Sequence, residues 1–294
     1  MKKILLLSAA AFVTAGLLSY SFRQQHQIQP LTAECYIACF NAETRDQIQM
    51  DAAKPGFAAL HPYPKAFTLE NPIGQMVQFP AADGTNAQGY LLKAKKKTKN
   101  WLFVIQEWWG LNDNIKREAE QFYQELGDVN VIALDMYDGK VAATPDSAMV
   151  YMRGAKADRL EAIVKAALAY AGSDAKIYTV GWCFGGGWSL QSTILAGKQA
   201  AGCIMYYGRP ENNLEKLKTV NCDVIGFFGT KDRGIPNEVV DAFEKNMKDL
   251  GKNISLHRYE AGHGFANPSN PAFDKIATED THQKTISFLK SKIK

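Results

Sequence analysis

From about residue 74 onward, apolar positions along the chain alternate between two rhythms. Short runs rich in β-branched and aromatic residues occupy 74–79, 87–92, 101–105, 129–134, 176–180, 203–206, 224–228 and 254–259. The run 101–105, Trp-Leu-Phe-Val-Ile, is apolar without a break, as a strand covered on both faces must be. Between the runs come segments of helical character. One starts at Asn112 or Asp113 and ends near Gly127; another opens at Thr144-Pro145, where proline suits a first turn. Others span 160–170, 239–250 and 281–289. Asp83-Gly84 separates the first two runs and predicts a hairpin turn. Strands that alternate with helices need crossover connections. The expected fold class is therefore α/β: a mostly parallel sheet with helices on both faces.

The first 71 residues break this rhythm. Lys2-Lys3, an uncharged apolar run over 4–18, and Ser19-Tyr20-Ser21 together read as a signal peptide over residues 1–21. The apolar run is short for a bilayer span, although an uncleaved N-terminal anchor is the alternative. Glu34 ahead of Cys35 argues against a lipid-attachment cysteine. The expectation is an exported protein, periplasmic or secreted, with no stable membrane insertion after cleavage. Residues 22–71 are polar and carry Pro55, Pro62 and Pro64. They predict an extension of loops and a short helix wrapped on a single domain over 72–294, and no chemistry is assigned to them.

Composition narrows the function. The formal net charge is +4, and Lys2 and Lys3 leave with the signal, so the mature balance is 4 − 2 = +2. The one basic run, 93–99, lies between two strands as a solvated turn. Nothing points to nucleic acid. Five cysteines in an oxidising compartment predict pairs Cys35–Cys39 and Cys203–Cys222, leaving Cys183 as the free thiol. Cys-x-x-Cys is absent, and with only five histidines no zinc-type cluster is expected.

The chemistry gathers where strands end. The run 176–180 leads into Gly181-Trp182-Cys183-Phe184-Gly185-Gly186, with a helix-compatible stretch over 188–195. This is the strand–turn–helix layout of a nucleophile elbow, with cysteine in place of serine. Glycines on either side let the turn close, and the following helix aims free N–H groups at the thiol. In a parallel sheet, ligands collect at the carboxyl ends of the strands. Those ends carry Gln106-Glu107-Trp108-Trp109-Gly110, Asp135-Met136-Tyr137, Tyr207-Gly208, Gly229-Thr230-Lys231-Asp232 and Ala261-Gly262-His263-Gly264-Phe265. The order Cys183, Asp232, His263 is the hydrolase order: nucleophile, acid, base. His257 within a strand and His282 on the last helix read as structural, and the rival acid Asp135 precedes the elbow.

With these motifs the chain resembles the dienelactone hydrolase family of α/β-hydrolases over roughly residues 72–294. The resemblance implies an eight-stranded sheet without a large lid. It implies hydrolysis of a small ester or lactone through a Cys183-acyl intermediate, without metal or organic cofactor. It makes Glu107 the carboxylate that hydrogen-bonds the resting thiol, and the backbone N–H groups of Trp108 and Phe184 the oxyanion hole. A carboxylate beside a thiol would also raise its pKa and protect it. The family's arginine four residues after the histidine is replaced by Asn267. A second family arginine has no secure counterpart, Arg153 and Arg159 both lying near its place. Trp109, Tyr137, Tyr207 and Asn267 are then the expected substrate-binding residues, with Trp108 and Trp109 at a bulky mouth that favours neutral esters. Monomer or small homo-oligomer is the expected state. A non-catalytic binding protein on the same scaffold is the other reading, and a disulfide oxidoreductase, without a resolving cysteine near Cys183, a remoter one.

Overall fold

The computed structural model describes residues 44–51, 54, 56–58, 61, 65 and 67–293. The expected signal peptide and the Cys35–Cys39 pair lie outside them. Strands β1 (Gln75–Pro80), β2 (Asn86–Leu92), β3 (Asn100–Ile105), β4 (Asn130–Leu134), β5 (Lys176–Trp182), β6 (Ala200–Tyr206), β7 (Val224–Gly229) and β8 (Ile254–Tyr259) form one sheet, in the order β1-β2-β4-β3-β5-β6-β7-β8. β1 and β2 form an antiparallel hairpin, β2 joins β4 antiparallel, and every later pairing is parallel. The eight-stranded α/β fold expected from the sequence is the observed one.

Helices α1 (Thr44–Met50), α2 (Asp113–Leu126), α3 (Pro145–Gly154), α4 (Ala157–Ala171), α5 (Phe184–Ala196), α6 (Leu214–Lys218), α7 (Asn237–Asp249) and α8 (Lys275–Lys292) cover the sheet. α2 and α8 pack together on one face, and α4 and α5 on the other. The caps follow the local sequence. The Asn112 side chain accepts the Ile115 amide, and Thr144 and Ser147 form a capping box ahead of Pro145. β3, β4 and β7 are buried along their whole length, as central strands covered on both faces should be. Among the described residues no helix is long and apolar enough to cross a membrane.

Two expectations are corrected. Helix α5 begins at Phe184, directly after Cys183, and not near Trp188. The intervening glycines do not break it; they let it approach the neighbouring backbone. A Cβ on Gly186 would stand 2.5 Å from the Tyr206 carbonyl oxygen. Cys203 and Cys222 are free thiols, not a disulfide. They share one apolar cluster, but the Cys203 sulfur faces the Ser189 hydroxyl at 3.6 Å, beneath α5.

The N-terminal extension is tied across the carboxyl end of the sheet. Ile48 of α1 is buried against α5, close to Gly187. Thr44 Oγ1 donates to Glu211 Oε1 at 2.5 Å. Arg209 grips Asp51 with two bonds, of 2.5 and 2.7 Å, and Lys54 reaches the same carboxylate. These anchors carry the chain past the end of β5, where the elbow lies.

Candidate active site

Cys183 sits at φ 53°, ψ −115°, in a region that non-glycine residues rarely adopt. Its flanks explain how the turn closes. A Cβ on Gly181 would lie 2.1 Å from the Gly185 carbonyl oxygen, and one on Gly185 would lie 2.3 Å from that of Ile105. The Cys183 amide donates to Tyr206 O, and its carbonyl accepts the Gly186 and Gly187 amides in the first turn of α5. The Phe184 amide points at the sulfur. Among the described residues neither it nor the Trp108 amide is tied to a backbone carbonyl. These are the two donors expected at the oxyanion hole.

Asp232, just past β7, accepts the Gly234 and Ile235 amides on Oδ1, at 2.7 and 3.0 Å. Its Oδ2 accepts His263 Nδ1–H at 2.7 Å, and both side chains are almost wholly buried. Burial alone would lower the imidazole's proton affinity. Once the thiol proton has moved to the ring, the Cys183 thiolate and the Asp232 carboxylate outweigh it and hold the His263 imidazolium well above the usual histidine range. Its Nε2 faces Cys183, with the two ligand-type atoms within 4.8 Å of one another, and takes no hydrogen-bond partner among the described residues. Burial pushes the Cys183 thiol up, and the nearby Glu107 adds to the shift against the pull of His263.

Glu107 is placed differently from the expectation. Among the described residues it makes no bond to the thiol; its Oε2 accepts Asn267 Nδ2–H at 2.8 Å. Burial pushes its carboxyl up to about 7. The pairing ties one N–H of the Asn267 amide to Glu107, while Asn267 still lines the second cavity.

The resting thiol bonds instead to a residue the sequence did not single out. His61 Nε2 lies 3.0 Å from Cys183 Sγ, and its Nδ1 donates to the Phe57 carbonyl at 2.7 Å. Nδ1 therefore carries the proton, and Nε2 accepts from S–H. Burial, with His263 beside it, lowers the His61 pKa to about 3, so the ring is neutral. His61 stacks on Phe57, and both rings cover Trp108. Trp108 is thus fully buried beneath the extension and does not stand at a mouth. The sequence trace of His61 is slight: one histidine after the apolar run 57–60, in a stretch without periodicity.

Cys183, His61, Phe184, Tyr207 and His263 line a cavity of about 100 Å³, with Arg209 and Arg233 at its edge. A second cavity, of about 300 Å³, is lined by Glu107, Trp109, Trp182, Tyr207 and Asn267. Tyr207, at φ 36°, stands between the two. The buried hydroxyls of Tyr137 and Tyr207 have no partner among the described residues. Tyr137 packs on Phe184. The remaining candidates are structural: His257 stacks on Phe227 and His282 binds Glu125. Arg159 ties the hairpin turn to Asp138.

This geometry has known counterparts. The sequence model of the dienelactone hydrolase family matches residues 87–293. The protein usf of Aquifex pyrophilus is 32% identical over 241 residues, 74% of this chain and 98% of that one. Carboxymethylenebutenolidase 1 of Cupriavidus pinatubonensis is 26% identical, covering 72% of this chain and 95% of its own. Among solved structures, a putative dienelactone hydrolase from Klebsiella pneumoniae superposes with a TM-score of 0.61 at 18% identity, over 73% of this chain and 97% of that one. A dienelactone hydrolase-like promiscuous phosphotriesterase from metagenomic libraries reaches 0.64 at 19%, over 76% and 100%. These two likenesses speak to the fold, and the match over 87–293 spans the elbow, the acid and the histidine alike: the chain belongs to the dienelactone hydrolase family.

Proposed function

We propose that the protein cleaves a small ester or lactone through a covalent thioester on Cys183. The observation that carries this is the Asp232–His263 bond of 2.7 Å, with the free Nε2 of that ring turned to a thiol on a strained elbow. His263 takes the thiol proton as the sulfur attacks the carbonyl carbon, and Asp232 stabilises the imidazolium. The Trp108 and Phe184 amides receive the oxyanion. His263 returns the proton to the departing alkoxide. Water, deprotonated by the same ring, then cleaves the thioester and restores the thiol.

The cavity of about 100 Å³ supports a short acyl group, since pockets for larger ligands run to roughly 300 Å³ and more. Asn267 is uncharged and bonded to Glu107, which supports neutral esters over anionic ones. Measuring kcat/KM for a lactone acid and its methyl ester checks this. A strong preference for the acid, lost in Arg233→Ala, would overturn it. The same reading has residues 1–21 exporting the chain, supported by Lys2-Lys3 and the uncharged run behind them. A cytosolic protein retaining Met1 would count against export. The chain works as a monomer or small homo-oligomer.

The decisive test is turnover of p-nitrophenyl acetate. Wild type should turn it over, Cys183→Ala should not, and brief reaction should add one acyl mass to Cys183. Turnover by Cys183→Ala equal to wild type would sink the mechanism. No turnover of any ester or lactone would favour a binding protein on this scaffold.

A further inference from the structure

Hydrolysis accounts for His263 but not for His61. Three metal-ligand atoms converge in the catalytic cavity: the sulfur of Cys183 and a ring nitrogen each from His61 and His263, all within 4.8 Å of one another on buried residues. The two imidazoles are held alike. Nδ1 of His61 donates to a backbone carbonyl, and Nδ1 of His263 donates to a carboxylate. Both partners can only accept, so each ring keeps a proton on Nδ1; with the proton of the resting site on the thiol, each turns an Nε2 lone pair toward the sulfur. One lone pair receives the thiol at 3.0 Å; the other, on buried His263, faces the same sulfur from within 4.8 Å. Histidine ligands oriented by a carbonyl or carboxylate on the far nitrogen are the usual outer shell of a zinc centre.

We propose that Cys183, His61 and His263 form a binding site for a zinc-class ion, three protein ligands with a fourth position open to water, and that its occupation switches hydrolysis off. Thiolate and imidazole together suit a borderline-soft d¹⁰ cation, and three such ligands leave one tetrahedral corner free. Zn–S near 2.3 Å and Zn–N near 2.0 Å set tetrahedral ligand atoms roughly 3.3–3.6 Å apart. The His61–Cys183 contact then opens by about half an ångström, and the wider separations contract. Binding replaces the S–H···N bond by S–Zn–N, and the thiol proton leaves to solvent. The metal-bound sulfur and the ligated His263 can no longer attack a carbonyl or carry a proton. The pairing is invisible to motif searches because His61 precedes Cys183 by 122 residues.

Binding itself does not depend on the hydrolase reading; only the inhibition does. The test uses the full chain, stripped of metal with a chelator and titrated with Co²⁺ as a spectroscopic probe. One equivalent should produce a thiolate-to-cobalt charge-transfer band with tetrahedral ligand-field bands, and Zn²⁺ should abolish both. Cys183→Ser should lose the charge-transfer band. His61→Ala and His61→Gln should weaken binding by at least about 100-fold, beyond the 10- to 100-fold typical of losing an outer-shell partner. The Zn²⁺ concentration for half-inhibition of ester turnover should rise by the same factor. Circular dichroism of each variant reports folding. No charge-transfer band in wild type, or one of unchanged affinity in both His61 variants, overturns the site. Cobalt bound through Cys183 in a protein that cleaves no ester would leave the site standing and remove the hydrolase reading.

Discussion

Asp232 does two jobs with its two oxygens. Oδ1 is held by two backbone amides, so Oδ2 is aimed at His263 with little freedom. Asp232→Asn should preserve the fold and reverse the imidazole tautomer, lowering kcat by roughly 10³- to 10⁴-fold in an ester assay. Glu107 makes a pH-dependent contribution. Its folded pKa of about 7 stands above the ordinary glutamate value of 4.5. Below the lower value both states hold the proton and nothing is lost. As pH rises through that window, the unfolded chain releases the proton first and folding must take one up, so stability falls until about pH 7. Glu107→Gln should therefore gain on wild type by about 2 kcal/mol between about pH 5 and pH 9, allowing for partial exposure to solvent. Urea unfolding at the two pH values checks it; parallel curves would refute it.

At the scale of elements, the extension from α1 to His61 acts as a strap. Its grip is concentrated in the Asp51–Arg209 pair, a two-bond contact between side chains that are both largely buried. Asp51→Asn should cost the docked strap about 1.5–3 kcal/mol. Iodoacetamide should then label Cys183 on the order of ten-fold faster or more, and cleavage after Lys54 should quicken in parallel. Equal labelling rates would mean that the strap does not guard the thiol. The elements also show what was legible in the sequence. β3 and β7 matched to within one residue at each end, because a buried strand is apolar on both faces and says so in every residue; β8, which is half-exposed, matched residue for residue as well. The caps at Asn112 and Thr144 were equally plain. The strap was not, since its contacts are single side chains reaching across more than a hundred residues, with no period to betray them. The Cys203–Cys222 pair failed for a related reason. Parity and adjacency bring two cysteines into one cluster, but only the pleat decides which way a sulfur points.

Over the whole molecule, function is gathered at one end of the sheet. β3, β5, β7 and β8 each deliver one part of the site, and their parallel register brings those parts together without any loop of great length. This is why Cys183, Asp232 and His263 could be read in order from the chain. Glu107 and Asn267 were legible as residues but not as partners, because their bond joins two separate loops. Neither residue's expected role, beside the thiol or at the substrate, included this bond.

The strap's anchors also have a meaning in time. Thr44 meets Glu211 across 167 residues, and Asp51 meets Arg209 across 158. The segment that covers the thiol is made well before its partners, which lie beyond β6. Until they exist it has nothing to hold, and the loop it must close is long. The cover of the thiol therefore depends on two halves of the chain at once: whatever loosens the segment beyond β6 uncovers the elbow as surely as a change in the strap itself.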